Sequence, residues 1–202
     1  MPSASPCLDA ATPRFGVCGP ADPRRAEVEA FIRDVYRQHY GAQLRSFAPE
    51  LVYLHDAQGI VAAAGYRGAG QAELFLERYL DAPVQTLLPC GPGATPARDV
   101  IVEVGHLAAT RSGEGRRLIL LLGPHLARQG FHWVVSTLTE ELRRLFLRIG
   151  VTWLTLSAAD AVALGGDAVH WGSYYEHRPL VLAGHLPQAL RHLAGARRAA
   201  TP

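Results

Sequence analysis

The stretch VIVEVGHLAATRSGEGRR, from Val100 to Arg117, decides the fold and contains most of the candidate functional residues. Its first half is rich in β-branched residues, which favour a buried strand over residues 100–108. That strand nevertheless carries a carboxylate, Glu103, and an imidazole, His106, and polar groups are costly to bury without partners. Both side chains are therefore candidates for a functional site as well as for packing.

The spacing of these two side chains raises a geometric question. Regular alternation along a strand would place Glu103 and His106 on opposite faces of the sheet. Gly105 lies between them and is a natural position for a β-bulge, which would bring both to the same side. Two structural alternatives stay open: Glu103 pairs with Arg98 or Arg67 at the strand end, and His106 is a hydrogen-bonded core histidine.

The loop TRSGEGRR, residues 110–117, joins this strand to a helix. Gly113 and Gly115 permit backbone conformations that point several N–H groups at one place. Amides at a helix N-terminus, together with the helix dipole, form an anion site suited to a diphosphate. Arg116 and Arg117 in the first helical turn oppose the dipole, and a bound anion would relieve that cost. The alternative is a surface turn with solvated arginines.

The second half of the chain alternates strands and helices. We predict a helix at residues 116–129, a strand at 132–138, a helix at 139–149, and strands at 152–157 and 179–185. Pro124 lies inside the first of these helices and should kink or split it. This alternation implies β-α-β units and parallel strands.

The first half shows a different pattern. It predicts strands at residues 14–18, 51–55 and 60–67, a helix within 22–41, a short helix within 72–81, a brief strand at 84–89 and a loop at 90–97. Asp22 is a candidate N-cap of the first helix, and Gly41 is a candidate C-terminal stop. The strands of this half are expected to be antiparallel, so the fold class is α/β (α+β) with a mixed sheet.

Composition restricts the class of protein. The 202 residues are enough for one sizeable domain or two small ones, and 49% hydrophobic with 19% charged residues allows a real core. A net charge of +2 is too small to indicate nucleic-acid binding. All 20 basic residues are arginine, so no lysine can act as a base or form a Schiff base.

The cysteines and histidines offer no scaffold or metal motif. Cys7, Cys18 and Cys90 are widely spaced, which argues against a disulfide framework or a zinc site. None of the nine histidines has H-x-x-x-H or H-E-x-x-H spacing, so we expect no dedicated metal site. The N-terminal sequence lacks the pattern of a secretory signal, and no apolar run approaches the ~20 residues of a transmembrane helix. We expect a cytoplasmic protein with no transmembrane segment.

The order strand, T-x-x-G-x-G loop, helix, strand, helix resembles the core of the GNAT N-acyltransferase superfamily. The signature there is [QR]-x-x-G-x-[GA], and this chain has Thr110 at the first position, with Arg111 one residue later. LFLRIGV similarly resembles the Y-x-x-x-G-F ending of the superfamily. Phe146 stands where many members have the tyrosine that protonates the leaving thiolate. Another group must donate that proton, or none is needed.

Several longer blocks resemble one family, the thermostable hemolysins. They include VEAFIRDVYRQHYGAQLRSFAPEL, GYRGAGQAELFLERYLDAPVQ, IVEVGHLAA, GFHWVVSTLTEELRRLFLRIG and WGSYYEHRPLVLAG, in this order. The similarity covers about Glu27 to Gly184. The family name records a haemolytic phenotype and no chemistry, and its members also look like distant relatives of acyl-homoserine-lactone synthases.

The resemblance implies a fold and an activity. The fold is a GNAT-like, mixed and mostly antiparallel sheet with a central splayed parallel pair and helices on both faces. It would form one domain at residues 13–196, between a disordered tail at 1–12 and a tail at 197–202. The expected enzyme is an N-acyltransferase that moves an acyl group from an acyl thioester to the amine of a small molecule. The co-substrate would be acyl-CoA or an acyl carrier protein, with no tightly bound cofactor.

The resemblance also implies roles for particular residues. The thioester would contact the strand, the loop and the second strand of the parallel pair, at Gly105, Leu107, Ala108, Ala109, Arg111, Ser112, Gly113, Glu114, Gly115, Arg116, Arg117 and Thr137. Glu103 is the first candidate for the base that deprotonates the amine, and His106 is its rival. The backbone N–H of His106 would stabilise the oxyanion. Either Tyr174 or Tyr175 would reach the acceptor pocket, while the other packs.

Some charged segments are predicted to be solvated. The first is ELFLERYLD, where the charged residues are Glu73, Glu77, Arg78 and Asp81. The second is the C-terminal segment LRHLAGARRAA, which is predicted to form a short helix that bears arginines. That segment has the alternative of contacting an acyl carrier protein. Two alternatives to the enzyme remain: a membrane-active haemolysin-type protein and a non-catalytic GNAT-like module that binds acyl-CoA.

Overall fold

The structure, a computed structural model, describes residues 12–89 and 94–199, and the side chains up to residue 195. Cys7, Cys90 and nearly all of the predicted N-terminal tail lie outside this range. The described residues form seven strands, four α-helices and several short 3₁₀ segments. In chain order the main elements are β1 Arg14–Cys18, α1 Arg25–Tyr40, β2 Glu50–Asp56, β3 Gly59–Gly68, β4 Ile101–Ala109, α2 Glu114–Arg128, β5 Trp133–Leu138, α3 Glu140–Arg148, β6 Leu154–Ala158, β7 Leu180–His185 and α4 Leu186–Ala199.

All seven strands belong to one mixed sheet with the order β1-β2-β3-β4-β5-β7-β6. Neighbouring strands are antiparallel except for β4 and β5, which are parallel. Strands β1 to β4 follow one another as a meander, and β7 returns between β5 and β6. The α/β (α+β) class and the mixed, mostly antiparallel sheet that the sequence predicts are confirmed.

The parallel pair is joined over a short length only. Residues Ile101–Glu103 of β4 pair with Trp133–Val135 of β5, although β4 continues to Ala109 and β5 to Leu138. Beyond Glu103 the two strands separate and leave a wedge-shaped gap in the middle of the sheet. Backbone groups that face this gap have no partner strand, so a ligand with its own amides can pair with them.

A β-bulge interrupts β4 where the gap opens. Gly65 of β3 pairs with Gly105, but Ala63 pairs with Ala108, so both His106 and Leu107 lie opposite one residue of β3. His106 has a φ of +54°, in the left-handed region, where histidine is more common than most residues. The predicted bulge therefore exists, but the residue that carries its conformation is His106, and Gly105 keeps its regular pairing.

Helices cover both faces of the sheet, as expected. Helix α1 packs on one face through Val28, Ile32 and Val35, whereas α2 packs on the other through Leu118 and Leu122. Helix α4 joins α2 on that second face through Leu186 and Leu190. Each helix contributes an apolar stripe to a core under its own face of the sheet, which is how amphipathic helices stabilise such folds.

Element ends follow the expected signals with small shifts. Gly41 ends α1 with a φ of +66° and donates its N–H to the Arg37 carbonyl at 2.9 Å. Asp22 is not the N-cap, because α1 begins at Arg25 and the Asp22 side chain instead accepts the N–H of Arg24 at 2.8 Å. Pro124 lies inside α2 and does not divide it.

Two segments differ from their predicted type. The predicted strand at residues 84–89 is wrong, because Val84–Leu87 forms a 3₁₀ turn that follows Pro83. The predicted helix within residues 72–81 is reduced to a 3₁₀ turn at Phe75–Tyr79. At the C-terminus, α4 continues to Ala199, past the predicted domain end at residue 196.

Candidate active site

A cavity of about 170 Å³ lies at the point where β4 and β5 separate, on the face of the sheet that α1 covers. Its wall is formed by β3, β4, the loop after α1, the 3₁₀ turn at Phe75–Tyr79 and residues 167–174. Glu103 and His106 both line it. The bulge at His106 and Leu107 restores the phase of the strand, so that these two side chains share one face, as the sequence predicts.

Glu103 is held in place by the 3₁₀ turn above it. Its two carboxylate oxygens accept the backbone N–H groups of Phe75 at 2.8 Å and Leu76 at 3.0 Å. Burial raises the pKa of this carboxyl, and the two N–H groups and the charge of Arg67 oppose the rise. Arg67 stands opposite Glu103 on β3, whereas Arg98, the other predicted partner, pairs elsewhere. Glu103 is thus a fixed carboxylate whose affinity for a proton is raised.

His106 lines the same cavity and has a buried ring nitrogen without a described partner. Burial and, to a smaller extent, the nearby charge of Arg67 lower the pKa of its imidazole to about 4. A hydrogen bond with the Ser46 backbone acts in the opposite direction. The ring packs 5.4 Å from the ring of Phe47. Its Nδ1 is buried and has no hydrogen-bond partner among the described residues. At neutral pH the imidazole is therefore uncharged.

The two candidate tyrosines separate clearly. Tyr174 lines the cavity, and its hydroxyl donates to the carbonyl of Thr137 at 3.2 Å. The Tyr175 hydroxyl is 2.6 Å from that of Tyr79 and lies behind the cavity wall. Burial raises the pKa of both phenols, so both stay protonated near neutral pH. Tyr174 is the one that reaches the cavity.

A buried ion pair supports the turn that carries the Glu103 contacts. Arg98 donates to both carboxylate oxygens of Glu77 at 2.7 and 2.8 Å, and Glu77 also accepts the N–H groups of Leu74 and Val84. Only 8% of the Glu77 side chain is exposed, and the pKa of its carboxyl falls to about 2, chiefly because of Arg98. The prediction that Glu77 is solvated is wrong.

The other charges of that segment do face solvent. Glu73, Arg78 and Asp81 are exposed, as predicted. Arg78 also lies over the Phe75 ring, 4.2 Å from its centroid, and lines the cavity. The contact between the Val84 N–H and Glu77 explains why residues 84–87 turn here, because a strand would need that N–H for a sheet partner.

Replacing Arg98 by methionine tests the ion pair. We expect the free energy of unfolding to fall by about 2 kcal/mol, because Glu77 would remain buried without its counter-ion. This expected loss is smaller than for a fully buried ion pair, because 30% of the Arg98 side chain is exposed. Urea denaturation at neutral pH measures the loss, and a cycle with Glu77→Gln isolates the pair itself. A loss below about 0.5 kcal/mol would contradict this role.

The acid sensitivity of the fold follows from the same groups. The pKa of Glu77 is lowered on folding, so its stabilisation is present above the ordinary value of 4.5 and is lost as pH falls toward 2. The pKa of His106 is also lowered on folding, from 6.5 to about 4. The unfolded state therefore binds this proton first, and His106 opposes folding as pH falls from 6.5 to about 4. His106 and Glu77 therefore each lower stability as pH falls, in two successive windows below pH 6.5, and Arg98→Met should remove most of the contribution of Glu77.

The glycine loop forms the N-terminus of α2 beside the gap. Gly113 precedes the helix with a φ of +86°, and its carbonyl accepts the N–H of Arg117 at 3.0 Å. The amides of Gly115 and Arg116 in the first turn have no intrahelical acceptor by position, as at any helix start. Glu114 donates its N–H to the Arg111 carbonyl at 3.3 Å, and its own Oε2 is buried without a described partner.

Arg111 differs from the arginine expected at a diphosphate. Its guanidinium forms an ion pair with Asp56 and donates to Gln58 at 2.8 Å, so it is tied to the turn between β2 and β3. Ser112 and Arg116 are exposed at the loop surface. The anion site predicted from the sequence thus rests on backbone amides and on the other arginines of the loop.

A second cavity, of about 70 Å³, lies behind the gap on the opposite face. Its wall is apolar and includes Leu107 of β4, Gly123 of α2, Phe146 of α3 and Trp153. Phe146 packs edge-on against Trp153, with ring centroids 5.0 Å apart. The position that carries a tyrosine in many GNAT proteins is therefore part of an apolar wall in this chain.

The two cavities meet at the gap between the strands. Val104 lines both of them, and Thr137 and Ser136, adjacent on β5, line the first and the second respectively. The Ser136 hydroxyl donates to the Val104 carbonyl across the gap. Ala108 and Ala109 continue β4 beyond this point with small side chains on its two faces. The gap is thus bordered by small residues and free backbone.

Several lining residues are given no part in the site by the sequence of their segments, although Arg67 is predicted as a possible partner of Glu103. They are Arg45 and Phe47 in the loop after α1, Arg67 on β3, and Asp167 and His170 near Trp171. Arg67 could have been identified from the sequence, because it is a charged residue in an otherwise apolar strand, as Glu103 is. The others lie in irregular segments, where no periodicity indicates which side chains return to the sheet.

The described residues contain neither a metal-binding cluster nor a membrane-spanning helix. Among residues 12–89 and 94–199, no group of three or more His, Cys, Asp or Glu side chains is arranged to hold a metal ion. No described helix combines the length and apolarity needed to cross a membrane.

A mixed sheet with one splayed parallel pair, a bulge beside the gap and a glycine loop at a helix N-terminus defines the GNAT-like fold. FeeM, an N-acyl amino acid synthase from uncultured soil microbes, has this fold with a TM-score of 0.62 at 14% identity, over 92% of this chain and 98% of that one. BjaI, a CoA-dependent acyl-homoserine lactone synthase solved with SAM and isopentyl-CoA, has a TM-score of 0.57 at 15% identity. The match covers 91% of this chain and 89% of that one. The acyl-homoserine lactone synthase LasI has a TM-score of 0.57 at 10% identity, over 86% of this chain and 91% of that one.

The sequence defines the family more narrowly than the fold does. Residues 18–190 match the thermostable hemolysin family, and the chain belongs to it. No curated protein sequence matches. The family predicted from the sequence blocks and the GNAT-like fold are both confirmed.

Proposed function

We propose that this protein is an N-acyltransferase that moves an acyl group from an acyl thioester to the amine of a small molecule. The observation that carries the proposal is the position of Glu103 and His106 in one cavity at the point where β4 and β5 separate. A thioester threaded through the gap would present its carbonyl to these residues. The acyltransferases and acyl-homoserine lactone synthases that share the fold support this class of reaction.

The donor would follow the free edge of β4. Its pantetheine amides would pair with the backbone near Leu107, Ala108 and Ala109, which has no strand partner on the side of β5. The diphosphate would lie at the N-terminus of α2, on the amides of residues 112–116 and beside Arg117. This anion site favours coenzyme A over a carrier protein as the leaving group.

The chemistry would be direct attack. The amine nitrogen forms a bond with the thioester carbonyl carbon, Glu103 accepts a proton from the amine, and the C–S bond breaks to release the thiol. The backbone N–H of His106, which the bulge removes from regular pairing, would stabilise the oxyanion. The Tyr174 hydroxyl stays protonated, and it would have to leave the Thr137 carbonyl in order to protonate the leaving thiolate. A thiolate of pKa ~8.5 can also leave without help.

Turnover with a panel of donors and amines tests the proposal. Purified protein is incubated with acetyl-, octanoyl- and palmitoyl-CoA and with the same acyl chains on carrier protein, each with a range of amines. Thiol release and the mass of the amide product are measured. Folded protein that neither binds a thioester nor turns it over would contradict the proposal, and binding without turnover would favour the non-catalytic module.

The apolar cavity behind the gap would receive the acyl chain. Leu107 and Val104 lead from the gap to its wall, and only apolar side chains and Ser136 surround it. An acetyl group would leave it empty, whereas a longer chain would bury its methylenes there, at about 0.8 kcal/mol each. We therefore infer a donor with an acyl chain longer than acetyl.

Replacing Gly123 by leucine tests the chain site. A Cβ at this position would lie 3.4 Å from Leu190 Cδ2 and 3.8 Å from Leu186 Cδ1, in ordinary contact, so the larger side chain would project into the cavity. We expect kcat/KM for long-chain thioesters to fall by about tenfold or more, because a filled pocket excludes methylenes. The rate with acetyl-CoA is the internal control, and equal losses for both donors would place the chain elsewhere.

A further inference from the structure

Three arginines from separate segments line the cavity that contains Glu103. Arg45 comes from the loop after α1, Arg67 from β3 and Arg78 from the 3₁₀ turn above. The acidic groups of the same wall are Glu103 and Asp167. The positive charges therefore exceed the negative ones around a pocket that is expected to receive a positively charged amine.

None of these three guanidinium groups forms an ion pair with a carboxylate of the described residues. Arg67 donates only to the backbone carbonyl of Glu73, at 3.3 Å, and Arg78 lies over the ring of Phe75. Elsewhere in the chain ion pairs are common, at Arg25, Arg37, Arg98, Arg111, Arg144 and Arg178. Unpaired arginines at a pocket favour an anionic group, and their planar fork matches a carboxylate.

Arg67 has the most informative position. It is directly opposite Glu103 in the β3–β4 register, so the two Cβ atoms are about 5 Å apart on the same face of the sheet. They do not pair with each other, because the Glu103 carboxylate accepts the N–H groups of Phe75 and Leu76. A cationic and an anionic group of one ligand can thus contact Glu103 and Arg67 at the same time.

We propose that the acceptor is an α-amino acid, whose carboxylate binds Arg67 while its ammonium group faces Glu103. Arg45 and Arg78 supply further positive potential at the cavity mouth, where both are exposed. Aromatic side chains, among them Tyr36 and Trp171, also line the cavity and suit an apolar substituent on the amino acid. This inference rests on the proposed acyltransferase function and narrows its acceptor.

Matched acceptors test the inference with a favoured long-chain acyl-CoA as donor. Leucine, leucinamide and isopentylamine share one side chain and differ at the carboxylate, and their rates are compared at equal concentrations of the free amine. The same trio built on phenylalanine tests the aromatic wall. We expect kcat/KM for the amino acid to exceed that for its amide by about tenfold or more, the effect of one charge-assisted bidentate contact. Arg67→Gln should bring this ratio close to one, and Arg67→Lys should restore part of it.

Arg37→Gln is the matched control. This arginine is exposed and pairs with Asp34 on the surface of α1, outside the cavity lining, so the ratio should keep its wild-type value. Equal rates of the wild-type protein with leucine and leucinamide would overturn the inference and leave the acyltransferase intact. If no amine is acylated, the proposed function fails. Calorimetric titration with the same leucine compounds then still decides whether a carboxylate site exists, and equal affinities would exclude it.

Discussion

Glu103→Gln is expected to lower kcat/KM for acyl transfer by at least about 100-fold, within the range of a lost general base. Glutamine keeps the size of the side chain but cannot accept the proton that the ammonium group must lose before the amine attacks. Burial raises the pKa of Glu103, which brings its basicity closer to that of the amine it would serve. Steady-state kinetics with saturating donor and varied amine measures the loss.

The pH profile separates chemistry from structure. Activity of the wild-type protein should rise through the raised pKa of Glu103, and the variant should lack this rising limb. Glutamine also has one acceptor oxygen for the two N–H groups of Phe75 and Leu76, so its thermal unfolding must be recorded beside the kinetics. Unchanged turnover in a folded variant would remove Glu103 from the chemistry and leave His106 as the base.

The sign of the stability effect can be worked out. The folded state binds the Glu103 proton more tightly than the unfolded state, because the folded pKa is the higher one. Stability therefore decreases as pH rises from the ordinary value of 4.5 toward the folded pKa, and Glu103→Gln should abolish that decrease. This behaviour is opposite to that of Glu77, so the two carboxylates can be distinguished in one set of pH titrations.

Gly172→Ala is expected to destabilise the protein by at least about 3 kcal/mol, through backbone strain and a steric clash together. Gly172 has a φ of +53° and a ψ of −130°, a conformation that side chains disfavour. A Cβ there would lie 2.0 Å from the Tyr40 carbonyl oxygen. That carbonyl accepts the N–H of Ser173 at 2.8 Å and so cannot move away freely.

Gly166→Ala is the matched control for this substitution. Gly166 lies in the same segment, its φ is not in the left-handed region, and a Cβ there would meet nothing within 4 Å. We expect its effect to stay within about 0.5 kcal/mol. Thermal or urea unfolding compares both variants with the wild type, and similar losses at the two positions would show that the contact with Tyr40 contributes little.

The sequence predicted the mixed sheet from local pattern, and its gap from the resemblance to the GNAT superfamily. The β-branched run of β4, the glycine loop and the alternation that follows are enough to predict a parallel pair, and the resemblance implies that this pair is splayed. The same reasoning brought Glu103 and His106 to one face by invoking a bulge. It assigned the unusual backbone to Gly105, since glycine is the usual residue there, whereas the fold places His106 in that conformation.

What the sequence did not predict depends on distant contacts. Glu77 looks like a solvated helical residue until Arg98, after a loop, reaches back to it. The 3₁₀ segment that ends at Trp171 has no periodic pattern, yet it closes the cavity and its His170 carbonyl accepts the N–H of Gln43 at 2.6 Å. Such pairings are set by tertiary packing, which overrides the local preference of each segment.

The short seam between β4 and β5 also has a consequence for how the two halves of the sheet are held together. Strands β1 to β4 pair only with their neighbours in sequence, and β5, β6 and β7 pair only among themselves, apart from the three residue pairs that join Ile101–Glu103 to Trp133–Val135. Main-chain hydrogen bonds therefore contribute little to the connection between the halves. Side chains of both halves pack into one core cluster, which contains Ile101, Trp133 and Val181, and this shared core holds the halves in place. The width of the cleft is thus fixed by side-chain packing beneath the sheet.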